Sequence, residues 1–111
     1  MKQTITSQML TDRNEYLLFI SNITGIASDV IMSTSRVDTV CCARYLLSWA
    51  LVELCGYSTT TVGKLMRRNH ATVWHGYNII KFELIQPFDD IRQKIDAIKQ
   101  YHLKRMEAVT S

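Results

Sequence analysis

Proline is absent from the first 86 residues, and the 111-residue chain has only four glycines, Gly25, Gly56, Gly63 and Gly76. Proline removes a helical donor and clashes with the preceding turn, and glycine gives up more backbone freedom than other residues, so these two are the usual helix breakers. With so few of them, apolar residues recurring at three and four can run as helices over long windows. The expected fold is all-α: a compact helical bundle forming one domain over residues 1–111. The 47% hydrophobic content supplies a core and argues against disorder. No apolar run approaches the roughly 18 residues that cross a bilayer. The first residues, from Met1 to Gln8, lack the apolar stretch of a secretory signal. A soluble, cytoplasmic protein with no membrane partner is expected.

In chain order, the spacing predicts a first helix over 7–24, capped by Ser7 or Thr11, with Leu10, Leu17, Leu18, Ile20 and Ile23 apolar and Gly25 as its stop. Ser28-Asp29 starts a short helical piece, and a polar loop follows, Ser33-Thr34-Ser35-Arg36. Asp38 or Thr39 caps the next helix, which runs to about Cys55 before Gly56. Val40, Leu46, Leu47, Trp49, Ala50, Leu51, Val52 and Leu54 make it apolar nearly all round, the pattern of a central strut. Arg44 and Ser48 lie four apart and share its one polar stripe. Arg44 is therefore expected on an accessible strip, either as a snorkelling surface cation or as a phosphate contact.

Residues 58–80 hold the densest constellation. Ser58 caps a short helix, Thr59–Met66, whose consecutive threonines are poor helix formers, so packing of Val62, Leu65 and Met66 must hold it. Gly63 permits close approach of a neighbour. After a basic turn, Arg67-Arg68-Asn69-His70, Asn69 caps a helix expected over 70–86. Val73, Tyr77, Ile80 and Leu84 recur at 4, 3 and 4 and form its buried stripe. Ala71, His75 and Asn78 fall on the opposite face, with Thr72 at the first-turn flank. Little bulk, donors and acceptors, and a methyl for thymine are what a helix entering the DNA major groove needs. Pro87 ends this helix. Asp89 and Asp90 suit the start of the last one, and Phe88, Ile91, Ile95 and Ile98 recur at 3, 4 and 3. That seam either packs back on the domain or forms a homodimer through the C-terminal helix.

The net charge of +3 is unevenly placed: −1 over residues 1–35, +3 over 36–86 and +1 over 87–111. The excess coincides with the helical hairpin, where Lys64, Arg67 and Arg68 cluster, and such a patch can engage a polyanion. Three cysteines, two of them adjacent (Cys41 and Cys42, with Cys55 beyond), match neither a disulfide framework nor zinc spacing and are expected to be reduced structural thiols. His70 and His75 are five apart, on different helix faces, so they do not form a metal pair. No nucleophile–base order, paired carboxylate cluster or glycine-rich loop stands out, so neither enzyme activity nor a cofactor, metal or nucleotide is expected.

Val62-Gly63-Lys64-Leu65-Met66, followed by Arg68-Asn69-His70-Ala71-Thr72-Val73-Trp74-His75-Gly76, resembles the C-terminal DNA-binding domain of the bacterial replication initiator DnaA, a helix-turn-helix variant related to the Trp repressor. Ser58, Glu53-Leu54, Trp49, Arg44 and Ser35-Arg36 keep the same register upstream, so the resemblance covers roughly residues 23–81. It implies a helix-turn-helix core over 23–86, with an added N-terminal helix in 1–22 and an added C-terminal amphipathic helix and tail in 87–111. It further implies that Arg36 enters the minor groove and that Asn69, His70 and Ala71 face major-groove base edges. Thr72 and Arg44 would meet the backbone, with Arg67 and Arg68 assisting from the turn.

Several positions depart from the family. Thr34 and Asp38 flank Arg36 where further cations are usual, Asn78-Ile79 stand at a late basic pair, and Ala71 replaces a threonine. These changes imply weaker phosphate affinity and leave the DNA target open. No phosphate-binding loop is present, so an ATP-driven initiator is excluded for this chain by itself. The expectation is sequence-specific binding of double-stranded DNA, in replication initiation or transcription regulation. The alternative is an interaction or dimerisation module that keeps the fold but binds DNA weakly or not at all.

Overall fold

Six α-helices carry the chain in the computed structural model, which describes residues 4–82 and 91–110. They are α1 (Ser7–Thr24), α2 (Ser28–Ile31), α3 (Asp38–Trp49), α4 (Thr59–Met66), α5 (His70–Lys81) and α6 (Ile91–Thr110). A π-helical turn, Ala50–Leu54, extends α3. There is no strand among the described residues, so the fold is all-α. None of the described helices is long and apolar enough to cross a membrane.

Local signals account for most of the helix ends. Gly25 and Gly56 adopt φ of 74° and 77°, a left-handed backbone that glycine enters without a Cβ clash. Ser58 and Asn69 cap α4 and α5 as expected: their side chains accept the Thr61 and Ala71 N–H groups at 3.1 and 2.7 Å. Two caps differ from expectation. Thr6, rather than Ser7 or Thr11, caps α1, because it is the residue with extended backbone and its Oγ1 accepts the Met9 N–H at 3.2 Å. Val37 precedes α3 without a side-chain cap, and Asp38 is already helical, where its charge faces the positive end of the dipole.

The core forms around α3. Leu46, Leu47, Ser48, Trp49, Ala50 and Leu51 are all buried in succession, which is possible only for a helix covered on every side. Tyr16 and Ile20 from α1 and Ile98 from α6 are fully buried in the same cluster as Val62, Leu65, Val73 and Ile80. The terminal helices are therefore part of the core rather than additions to it, and the expected division after residue 22 falls inside α1. Ile91, Ile95 and Ile98 are buried against their own domain, so this seam is occupied within the chain instead of lying open to a second copy. Leu84, Gln86, Pro87, Phe88, Asp89 and Asp90 lie outside the described residues.

A polar knot joins α1 to α6. Asp12 accepts hydrogen bonds from Gln8 and Arg105, both at 2.9 Å, and from the Tyr57 hydroxyl. Burial pushes the Asp12 carboxyl up, yet the bonds from Tyr57, Arg105 and Gln8 outweigh it and hold the group below its ordinary value. Arg105 also sits over the Tyr16 ring, 5.0 Å from its centroid, and the Tyr16 hydroxyl meets His102 Nδ1 at 2.5 Å. Burial pushes Tyr16 up to about 12, so this hydroxyl stays protonated. The three cysteines are free; Cys42 is fully buried and pushed up to about 12 by burial, whereas Cys41 and Cys55 are half-buried.

Candidate nucleic-acid interface

The turn between α4 and α5 is built on close backbone approach. Arg67 takes the left-handed region, φ 57° and ψ 44°, and ends α4 with its N–H directed at the Gly63 and Lys64 carbonyls. Few side chains other than Asn and Asp enter this region readily, so the surrounding contacts must hold it. The Arg68 N–H donates to Gly63 O at 2.8 Å. A Cβ on Gly63 would lie 2.7 Å from Arg68 O and 3.4 Å from the His70 nitrogen, so the glycine lets the turn fold onto α4. Arg13 of α1 donates to Leu65 O at 2.9 Å and satisfies a carbonyl at the end of α4.

Packing decides how α5 is rotated. Val73, Gly76, Tyr77, Ile79 and Ile80 are buried, and a Cβ on Gly76 would come within 2.5 Å of the Tyr45 ring from α3. Tyr77 donates to Glu53 Oε2 at 2.6 Å and accepts from Lys81 Nζ at 3.1 Å, fastening the far end of the helix to the π turn. The opposite face carries His70, Ala71, Thr72 and His75, all exposed, and Asn78, half-buried. His75 also meets the Tyr45 ring edge-on, 5.9 Å between centroids. The Asn69 oxygen is committed to capping, so its amide nitrogen is the group left to face outward.

The basic residues separate into two kinds. Arg36, Lys64 and Arg67 are exposed. Arg44 is not on an accessible strip: it is 8% exposed and points into the loop before α3. Its Nε donates to Ile31 O at 2.9 Å, and its Nη2 donates to Ser33 O at 2.7 Å and Ser35 O at 3.1 Å. Those inward carbonyls need donors once the loop is packed, and a guanidinium supplies several in one plane. Arg68 is half-buried and donates to the same Ser33 O. Burial, and then the nearby Arg44 charge, push its guanidinium below the ordinary arginine value. Arg36, Arg44, Arg68 and Thr72 line one open cleft of about 310 Å³ between the loop and the first turn of α5. Residues 36 and 72, far apart in sequence, thus share a site, while Lys64 is not among the residues that line it.

Two residues at this surface lie outside the expected set. Arg13 acts across 52 residues, and no spacing rule reaches that far. Trp74 lies on the outward face of α5, 54% exposed, stacked on Tyr77 at 5.7 Å between centroids. Its position four residues after His70 places it on that face by helical periodicity alone. No protein-family model matches the chain, and no curated protein or solved structure matches it at a significant level.

Proposed function

We propose that this protein binds double-stranded DNA sequence-specifically, with α5 in the major groove and the Arg36 loop in the adjacent minor groove, in replication initiation or transcription regulation. One observation carries the reading: the arginine-lined cleft adjoins the first turn of α5, where exposed His70, Ala71 and Thr72 are small or hydrogen-bonding. Cations beside a helix start position a phosphate backbone, and exposed His70, Ala71 and His75 can meet base edges. Fluorescence anisotropy with mixed-sequence duplexes at low and moderate salt tests it. Affinity should fall steeply as salt rises, because each neutralised phosphate releases counterions. No binding at low salt overturns the reading.

A protein-interaction module is the second reading, favoured by Trp74 and Phe82, 54% and 62% exposed on α5 and at its end. Exposed aromatics of this size are common anchors of protein interfaces. If Trp74→Ala leaves duplex binding intact, the aromatic side chain serves some other contact.

A further inference from the structure

The loop at residues 33–36 is held by two arginines that meet at one oxygen. Arg44 and Arg68 each direct an Nη2 donor at Ser33 O. Like charges placed together away from bulk water repel unless a counter-ion intervenes. Among the described residues none is supplied: the groups that bear on Arg68 are Arg44 and Cys41, with no carboxylate. The cleft beside the pair is lined by Thr34, Ser35, Arg36, Arg44, Arg68 and Thr72, which amounts to three cations, three hydroxyls and no acid. A second basic cleft, beside Lys81 and Lys99, includes Glu53 in its wall. Donor groups also remain in the first cleft. The Ser35 hydroxyl oxygen accepts the Val37 N–H, which leaves its proton to donate, and Arg68 directs only Nη1 and Nη2 at backbone carbonyls.

We propose that this cleft is a receptor for a single tetrahedral oxyanion, occupied in the complex by one backbone phosphate of DNA. Arg68 and Thr72 donate to the phosphate oxygens, Arg36 flanks them at the rim of the cleft where its side chain turns towards the minor groove, and the buried Arg44 supplies charge from behind while holding the loop. Arg68 exchanges the Ser33 carbonyl for the phosphate, so seating the anion relieves the repulsion between the two guanidiniums. The receptor rests on the arginine pair; only the identity of the phosphate carrier rests on the DNA-binding reading.

Two arms test it with the full chain. In the first, arginine Nε–Hε signals are followed by NMR during titration with inorganic phosphate, against sodium chloride at matched ionic strength. The Arg68 and Arg36 signals are expected to shift saturably with phosphate only, and Arg68→Ala is expected to abolish the saturation at Arg36. In the second, duplexes carry a neutral methylphosphonate at one backbone position at a time. One position should weaken wild-type binding by about tenfold and have no further effect on Arg68→Ala, as charge-assisted contacts to a single phosphate require. Phosphate saturation without duplex binding keeps the receptor and removes the DNA reading. A coupled duplex position supports both. Duplex binding with neither saturation nor a coupled position overturns the receptor and keeps the reading, and the absence of all three overturns both. Should Arg68→Ala fail to fold, Arg68→Lys takes its place; it keeps the charge without the planar fork and should weaken both effects.

Discussion

Arginine is used in opposite ways in two regions of this molecule. In the α1–α6 knot, Arg105 faces a carboxylate, Asp12, at 2.9 Å, with the Tyr16 ring beneath it. Beside α5, Arg44 and Arg68 face backbone carbonyls and each other. A carboxylate neutralises the cation and fixes two helices together, whereas carbonyl dipoles orient a guanidinium and leave its net charge in place. The first arrangement serves the fold. The second leaves two guanidiniums paired with carbonyls instead of an acid, beside the first turn of α5.

The largest expected effect tests the α1–α6 knot. Asp12→Ala leaves Arg105 half-buried without its partner and the Tyr57 hydroxyl without its acceptor, and should cost about 3 kcal/mol in chemical denaturation. Duplex affinity per folded molecule should be unchanged; a matching loss of affinity would mean the two regions are coupled. Gly63→Ala comes next. Its Cβ would press on Arg68 O at 2.7 Å, a backbone atom that cannot swing aside, so a loss of about 2 kcal/mol is expected from overpacking. Here affinity should fall with stability, because the displaced turn carries Arg68 and the start of α5.

Arg36→Ala and His70→Ala should act the other way round. Both side chains are exposed, so melting should move by no more than about 0.5 kcal/mol, while duplex binding weakens by about 1–3 kcal/mol for each. Unfolding of either variant, with affinity intact in the folded fraction, would assign that residue to the fold. The smallest effect is in acid. Asp12 is held below its ordinary value of 3.8 and His102, by burial and then Arg105, below 6.5. In both cases the unfolded chain binds protons more readily, so stability should decline as pH falls below about 6.5 and again below about 4. Denaturant midpoints across that range check the sign: a midpoint that rises on acidification would show that the knot is not formed as described.

Much of the local structure was legible in the residues because its causes are local. Ser58 and Asn69 cap the helices that follow them, Gly25 and Gly56 stop the helices before them, and the period of Val73, Tyr77 and Ile80 identifies the buried side of α5. The apolar residues Leu46, Leu47, Trp49, Ala50 and Leu51 mark the central strut, while the strip of Arg44 and Ser48 expected to stay accessible is covered as well. The cap positions Thr6 and Val37 each fall one residue before an expected cap, Ser7 and Asp38, since one residue of backbone geometry separates a cap from a first turn. Trp74 follows the same periodicity that exposes Ala71 and His75, although the expected outward set does not include it.

What sequence alone determined is thus the all-helical order, the turn of Arg67, Arg68 and Asn69, and the outward face of α5, because caps, breakers and periodicity act within a few residues. Tertiary structure decided the fate of the charges. Arg44 turned inward because Ile31, Ser33 and Ser35 carbonyls close around it, and Arg68 reached the same Ser33 carbonyl across 35 residues. Arg105 found Asp12 across 93. An arginine's role depends on which acceptors the completed fold brings within reach, and the Ser33 carbonyl and the Asp12 carboxylate come to Arg68 and Arg105 only once the helices have packed.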